Sequence, residues 1–140
     1  MRLFQITESG QSALSQYEKR LLSTEDARKL LFAVERGTEA VSQLLDQGAD
    51  INARLPFSYP GGRAGWTVLI KACYEGAQRV VEFLLEKGAD VSHATTFGVT
   101  PLIAAAARRA ERQIVQALVK KGADLNAATI NGRTALIWQL

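Results

Sequence analysis

The sequence predicts an all-α fold: a solenoid of helix-turn-helix repeats with β-hairpin loops and an extra N-terminal helix. Three observations carry this reading. The stretch "LLEKGADVS" at 84–92 returns as "LLDQGADIN" at 44–52 and as "LVKKGADLN" at 118–126. A second motif recurs in phase with it: "GWTVLIKAC" at 65–73, "GVTPLIAAA" at 98–106 and "GRTALIWQL" at 132–140. The period is that of a solenoid, since Thr67, Thr100 and Thr134 are 33 and 34 residues apart, and Gly88 and Gly122 are 34 apart.

Taken in chain order, residues 1–23 do not match the repeat and form an N-terminal capping segment. Within them "SALSQYEKRLL" places Ala13, Leu14, Tyr17 and Leu21 along one helical face, which suits a helix covering the first repeat. Residues 24–140 form the repeat domain, about three repeats and a partial fourth. Repeat 1 opens on the polar Thr24-Glu25-Asp26, as an end repeat should. The gap from Gly48 to Gly88 is 40 residues, and the surplus over 34 falls in "RLPFSYPGGRA" at 54–64, an insertion in one hairpin.

Each part of the repeat has a physical role. Thr100 can cap a helix with its hydroxyl, and Pro101 in the first helical position loses no needed N–H. Leu102, Ala105 and Ala106 give a small apolar face that lets helices approach closely. A break follows at Gly76 in one repeat and at Ala110 in the next, where one extra residue stands near Arg108 and Arg109. In "RVVEFLLEK" at 79–87, Val80, Val81, Leu84 and Leu85 mark a second, amphipathic helix. Gly88 sits where a left-handed residue stops that helix. Ala89 is small enough to lie under the turn, Asp90 can accept from loop amides, and Val91 fills the groove between repeats.

The motifs "TPLIAAA", "VVEFLLEKGADVS" and "GVTPL" resemble the ankyrin repeat, over residues 25–140. Two departures stand out. Ile70, Ile103 and Ile137 occupy the place where the family usually has His, and Thr95 and Thr129 replace the hairpin Asp, which should loosen those loops. The resemblance implies protein binding through a concave face of hairpin tips and first helices. Carried onto this chain, that face would include Glu35, Arg36, Arg54, Arg63, Trp66, Tyr74, Glu75, Thr96, Phe97, Val99, Arg108, Arg109, Ile130, Asn131 and Arg133. The insertion adds Phe57 and Tyr59, large aromatics on a loop stiffened by Pro56 and Pro60, which lose little entropy on binding.

The remaining residues exclude more than they suggest. A balance of 17 Lys+Arg against 14 Asp+Glu, +3 in all, is too mild for a nucleic-acid-binding tail. Cys73 is the one cysteine, so there is no internal disulfide and no support for a metal cluster. No stretch approaches the roughly 20 apolar residues that span a bilayer, and "MRLFQITESGQ" is not a secretory signal. A cytoplasmic location is expected. No cofactor or metal is expected, and no enzyme: His93 is a solitary loop histidine, and "YPGGRAG" at 59–65 lacks the Gly-Lys-Ser/Thr of a phosphate loop.

The expected function is a non-catalytic protein-protein interaction module: an adaptor, an inhibitor or a subunit organiser. The alternatives are a regulatory fragment of a larger enzyme, or a weak nucleic-acid contact through the arginines. The chain stops at Leu140, inside the first helix of the fourth repeat. Either it is a fragment of a longer protein, the favoured reading, or another chain covers that end in an end-to-end contact.

Overall fold

Thr67 and Thr100 cap two helices as their positions require. Each hydroxyl oxygen accepts the amide hydrogen three residues on, from Ile70 and from Ile103, both at 3.2 Å. The computed structural model describes residues 16–56 and 62–135, and along 16–22 only the course of the backbone. Six helices follow one another: α1 Gln16–Val34, α2 Thr38–Asp46, α3 Val68–Glu75, α4 Gln78–Glu86, α5 Pro101–Ala107 and α6 Arg112–Lys120. They form three pairs. α1 packs on α3 and α3 on α5, making one layer, while α2 packs on α4 and α4 on α6, making a second. No β-strand occurs among the described residues; the hairpins are tight turns, with a single antiparallel bridge between Ala128 and Thr134.

The first layer is packed from small and medium side chains. Leu30, Leu69 and Leu102 occupy equivalent places, as do Ala33, Ala72 and Ala105, and all six are buried. Alanines at the crossing let α3 and α5 lie close, and the leucines fill the space around them. In the second layer α4 buries Val80, Val81, Leu84 and Leu85, the four apolar positions of its periodic face. The stops are Gly48, Gly88 and Gly122, all at positive φ, from +87 to +96°. Beside them the amides of Ala49, Ala89 and Ala123 reach back to the carbonyls of Leu44, Leu84 and Leu118. Asp50, Asp90 and Asp124 each accept the backbone N–H two residues ahead, at 2.8–2.9 Å. Val91 is partly buried against the core.

Two expectations need correcting and one is refined. The N-terminal helix is not a separate element where it is described, because residues 16–22 are the opening turns of α1. The boundary expected between 23 and 24 therefore falls inside one continuous helix. No Gly or Pro interrupts 16–34, and Glu25 pairs with Arg28 at 2.6 Å on the helix surface, so Thr24-Glu25-Asp26 continue the helix instead of opening it. Asp26 also ties the first repeat to the next loop. Its carboxylate accepts the Asp50 N–H at 3.0 Å, as Asn52 Oδ1 accepts that of Asp90 at 2.9 Å.

The refinement lies between α5 and α6, where the expected break at Ala110 is present and its left-handed residue is the preceding Arg109, at φ 54°. It stands where Gly76, at φ 71°, stands between α3 and α4, and the extra residue is absorbed just after it. The third concerns Thr95 and Thr129. The Thr95 hydroxyl oxygen accepts from Phe97 N at 3.3 Å and Val99 N at 3.2 Å, and Thr129 accepts from Arg133 N at 3.2 Å. Threonine thus supplies the loop acceptor that a carboxylate would, and the hairpins are closed instead of loosened.

Candidate interaction face

The hairpins are stitched together in a row. Leu55 N–H donates to the Trp66 carbonyl at 3.0 Å and Gly65 N–H to the Leu55 carbonyl at 2.9 Å, closing the insertion at its base. Thr96 N–H then reaches across to the Ala64 carbonyl at 3.2 Å, and Ile130 N–H to the Phe97 carbonyl at 2.9 Å. Each hairpin thus hangs on the one before it. Phe97 and Ile130 are left at the tips, 52% and 68% exposed.

Behind the first hairpin four predicted residues meet. The Trp66 and Tyr74 rings lie edge to face, 5.3 Å between centroids at 64°. The Arg108 guanidinium sits 4.6 Å over the Tyr74 ring, and that of Arg63 is 6.0 Å from the Trp66 ring. The result is a file of cation, indole, phenol and cation running from the insertion, along α3, to the end of α5. Each ring-cation contact is worth about 0.5–1 kcal/mol at an exposed site, and the ring pair a similar amount. Arg63, Tyr74 and Arg108 are exposed and Trp66 is half-buried.

Other predicted residues fall elsewhere. Arg36 lines grooves with Gln43 and Leu44 of α2 and with Arg79 of α4, away from the file. Arg54 is half-buried beside the buried Ala53 and Leu55, at the base of the insertion. Arg109 supplies the left-handed turn, and Arg133 donates its backbone N–H to Thr129. Phe57 and Tyr59 lie outside the described residues.

Glu75 leads to a residue that sequence reasoning missed. Lys71, on α3, has only 3% of its side chain exposed. Its ammonium lies 2.6 Å from Glu75 on α3 and 3.6 Å from Glu35 in the turn just after α1, so it ties α3 to the end of its neighbour in the first layer. A second missed residue is Phe32 on α1, 67% exposed, at the place equivalent to Lys71 and Ala104. Phe32, Leu31, Leu55, Lys29, Arg63 and Lys71 help line a groove of about 480 Å³ between α1, α3 and the insertion. The signal in the sequence is a lysine inside the apolar run "TVLIKAC", which no amphipathic pattern explains.

Burial pushes the Cys73 thiol up, so it stays protonated and inert. Asp90 is held below its ordinary value chiefly by the Ser92 hydroxyl, then by the Ser92 amide, with His93 Nε2 3.3 Å from its other oxygen. Among the described residues no three His, Cys, Asp or Glu side chains converge as metal ligands, and no helix is long and apolar enough to cross a membrane.

Comparison with known proteins agrees with the repeat. A family model described as ankyrin repeats, in three copies, matches residues 8–95, and one for the single ankyrin repeat matches residues 97–130. The mitochondrial disaggregase of Bos taurus is 40% identical over 68 residues, 49% of this chain and 9% of that protein. The 2-5A-dependent ribonuclease of Mus musculus is 39% identical over 82 residues, 58% of this chain and 10% of that protein. Its Homo sapiens counterpart is 35% identical over 88 residues, 62% of this chain and 11% of that protein. The chain thus spans about a tenth of the length of these relatives. With paired helices, glycine stops and stacked hairpins matched by family models along most of its length, the chain belongs to the ankyrin-repeat family.

Proposed function

We propose that the chain is a non-catalytic protein-interaction module, in a cytoplasmic setting, that grips another protein through the face built on Arg63, Trp66, Tyr74 and Arg108. The file of these four side chains carries the reading. Trp, Tyr and Arg dominate interface energetics when they stand in a pre-formed cluster, and ankyrin repeats are interaction modules in general. Adaptor, inhibitor and subunit organiser are all roles for such a surface.

The test compares Tyr74→Ala and Arg108→Ala with Arg79→Ala, on a different helix. A partner captured from the host is identified, purified and titrated against each variant. The face variants should weaken it by about thirtyfold, the 2 kcal/mol of a hot-spot side chain, with the melting point nearly unchanged. Unchanged affinity with a lowered melting point would mean that the file only braces α3 against α5.

The short span of the matches favours a second reading, in which the same face regulates a longer enzyme that contains these repeats. A reading frame that continues past Leu140 into a catalytic domain would support it.

A further inference from the structure

We infer that the face takes an extended, acidic segment of its partner, one that carries an apolar side chain between two carboxylates. This rests on the proposed role as an interaction module and adds the chemistry of what is bound. Lys71 decides which charges the face can offer. Its ammonium, supplied from within the first layer, lies against Glu35 and Glu75 at 3.6 and 2.6 Å. Both carboxylates lie against that one buried cation, and among the described residues neither pairs with Arg63 or Arg108. Neither Arg63 nor Arg108 has a carboxylate partner among the described residues; each has a ring. In the groove beside them Arg28 is paired with Glu25, which leaves Lys29 and Arg63 as its uncompensated charges. A guanidinium stacked on a ring keeps its N–H edge turned outward, ready for a carboxylate in bidentate geometry.

The dimensions then limit the ligand. The three steps of the file, 6.0, 5.3 and 4.6 Å, bound the separation of the two guanidiniums. At roughly 3.3 Å per extended residue, two acidic side chains reaching both ends stand no more than about five residues apart. Between them an apolar side chain meets the Trp66 and Tyr74 rings, and beyond Arg63 the segment runs on toward the groove of about 480 Å³, where Phe32, Leu31 and Leu55 supply an apolar wall. Charge at the ends and an apolar centre give a register that a uniformly acidic chain does not share.

The experiment is selection of random 12-residue peptides by phage display on the whole chain. Enriched peptides are synthesised and titrated by fluorescence anisotropy against the wild type and the double variant Arg63→Glu, Arg108→Glu. Arg63→Gln, Arg108→Gln stands in if the charge reversal does not fold. Enriched sequences should carry Asp or Glu on both sides of an aliphatic or aromatic residue. Either double variant should bind them at least thirtyfold more weakly, and affinity should fall with added salt. Enrichment of neutral or basic peptides, or acidic peptides bound equally by wild type and variant, would overturn this inference and leave the interaction module standing. No enrichment by the folded protein would count against both.

Discussion

Replacing Gly65 by alanine should destabilise the protein by about 2–3 kcal/mol, whereas Gly88→Ala costs about 0.5–1 kcal/mol. Both glycines sit at positive φ, +78 and +87°. A Cβ in that region costs about 1–2 kcal/mol, of which about 0.4–1 returns because alanine loses less freedom on folding. At Gly88 nothing lies within 4 Å of the added methyl, so the backbone conformation is the whole cost. At Gly65 the methyl would stand 2.9 Å from the Thr96 nitrogen and 3.2 Å from the Thr95 backbone. Backbone cannot swing aside as a side-chain tip can, so the next hairpin has to shift. That shift pulls on the 3.2 Å bond from Thr96 N–H to the Ala64 carbonyl, which stitches the two hairpins. Losing that bond adds about 1 kcal/mol, and the loosened contact between repeats adds the rest. Urea unfolding followed by circular dichroism gives both midpoints. Equal shifts for the two variants would refute the reasoning, because they would show that the hairpin row contributes nothing beyond each turn's own geometry. A broadened transition for Gly65→Ala alone would agree with it, as repeats uncoupled from one another unfold separately.

Three more predictions follow from the same geometry. Lys71→Met should be neutral or stabilising by about 1 kcal/mol, since it removes a buried cation and leaves two water-exposed glutamates, while Lys71→Ala should lose about 2–3 kcal/mol to the cavity it leaves; calorimetry decides, and a large loss with Met would show a net gain from the ion pair. Arg109→Gly should raise stability by about 0.5–1 kcal/mol by relieving a non-glycine left-handed residue, read from the urea midpoint. Asp90 has a folded-state pKa below its ordinary 3.8, so its contribution is present above that value and fades as pH falls through the lower folded value; the stability gap between wild type and Asp90→Asn should therefore close in strong acid, and a gap that persists there would discount the Ser92 hydrogen bonds.

Much of the fold is legible before any coordinates because the repeat writes its own constraints three times. A threonine that caps, a glycine that stops and an aspartate that accepts loop amides act within a few residues of themselves, so their roles follow from local chemistry. The misreadings come from longer reach or from missing punctuation. No residue in 16–34 says where a capping segment ends and a repeat begins, and the helix runs through. Thr95 and Thr129 look like lost aspartates in the sequence, although a hydroxyl oxygen is also an acceptor and only the turn geometry shows that it reaches the amides. Motif position alone puts Arg36 on the face, and the structure has it lining grooves with residues of α2 and α4, apart from the file of Arg63, Trp66, Tyr74 and Arg108.

The site is legible to a different degree, and the repeats themselves say why. Aligned on their cores, the first-layer helices agree wherever packing decides: Leu30, Leu69 and Leu102; Leu31, Ile70 and Ile103; Ala33, Ala72 and Ala105; Val34, Cys73 and Ala106, all buried. Next to these, the equivalent residues Glu35, Tyr74 and Ala107 share no chemistry, and Arg36, Glu75 and Arg108 reverse charge in the middle repeat. Packing does not dictate those places, so their differences are free to serve a partner. Phe32, Lys71 and Ala104 break the rule in an informative way. Ala104 is buried and apolar, Phe32 is exposed, and Lys71 is buried and charged. A buried charge in a column where burial itself varies is costly unless something compensates it, and Glu35 and Glu75 are the compensation. Lys71 in turn holds the two carboxylates of the face, so the arginines beside it are left for a ligand. The charge that looks misplaced in an apolar run is thus what sets the electrostatic character of the surface around it.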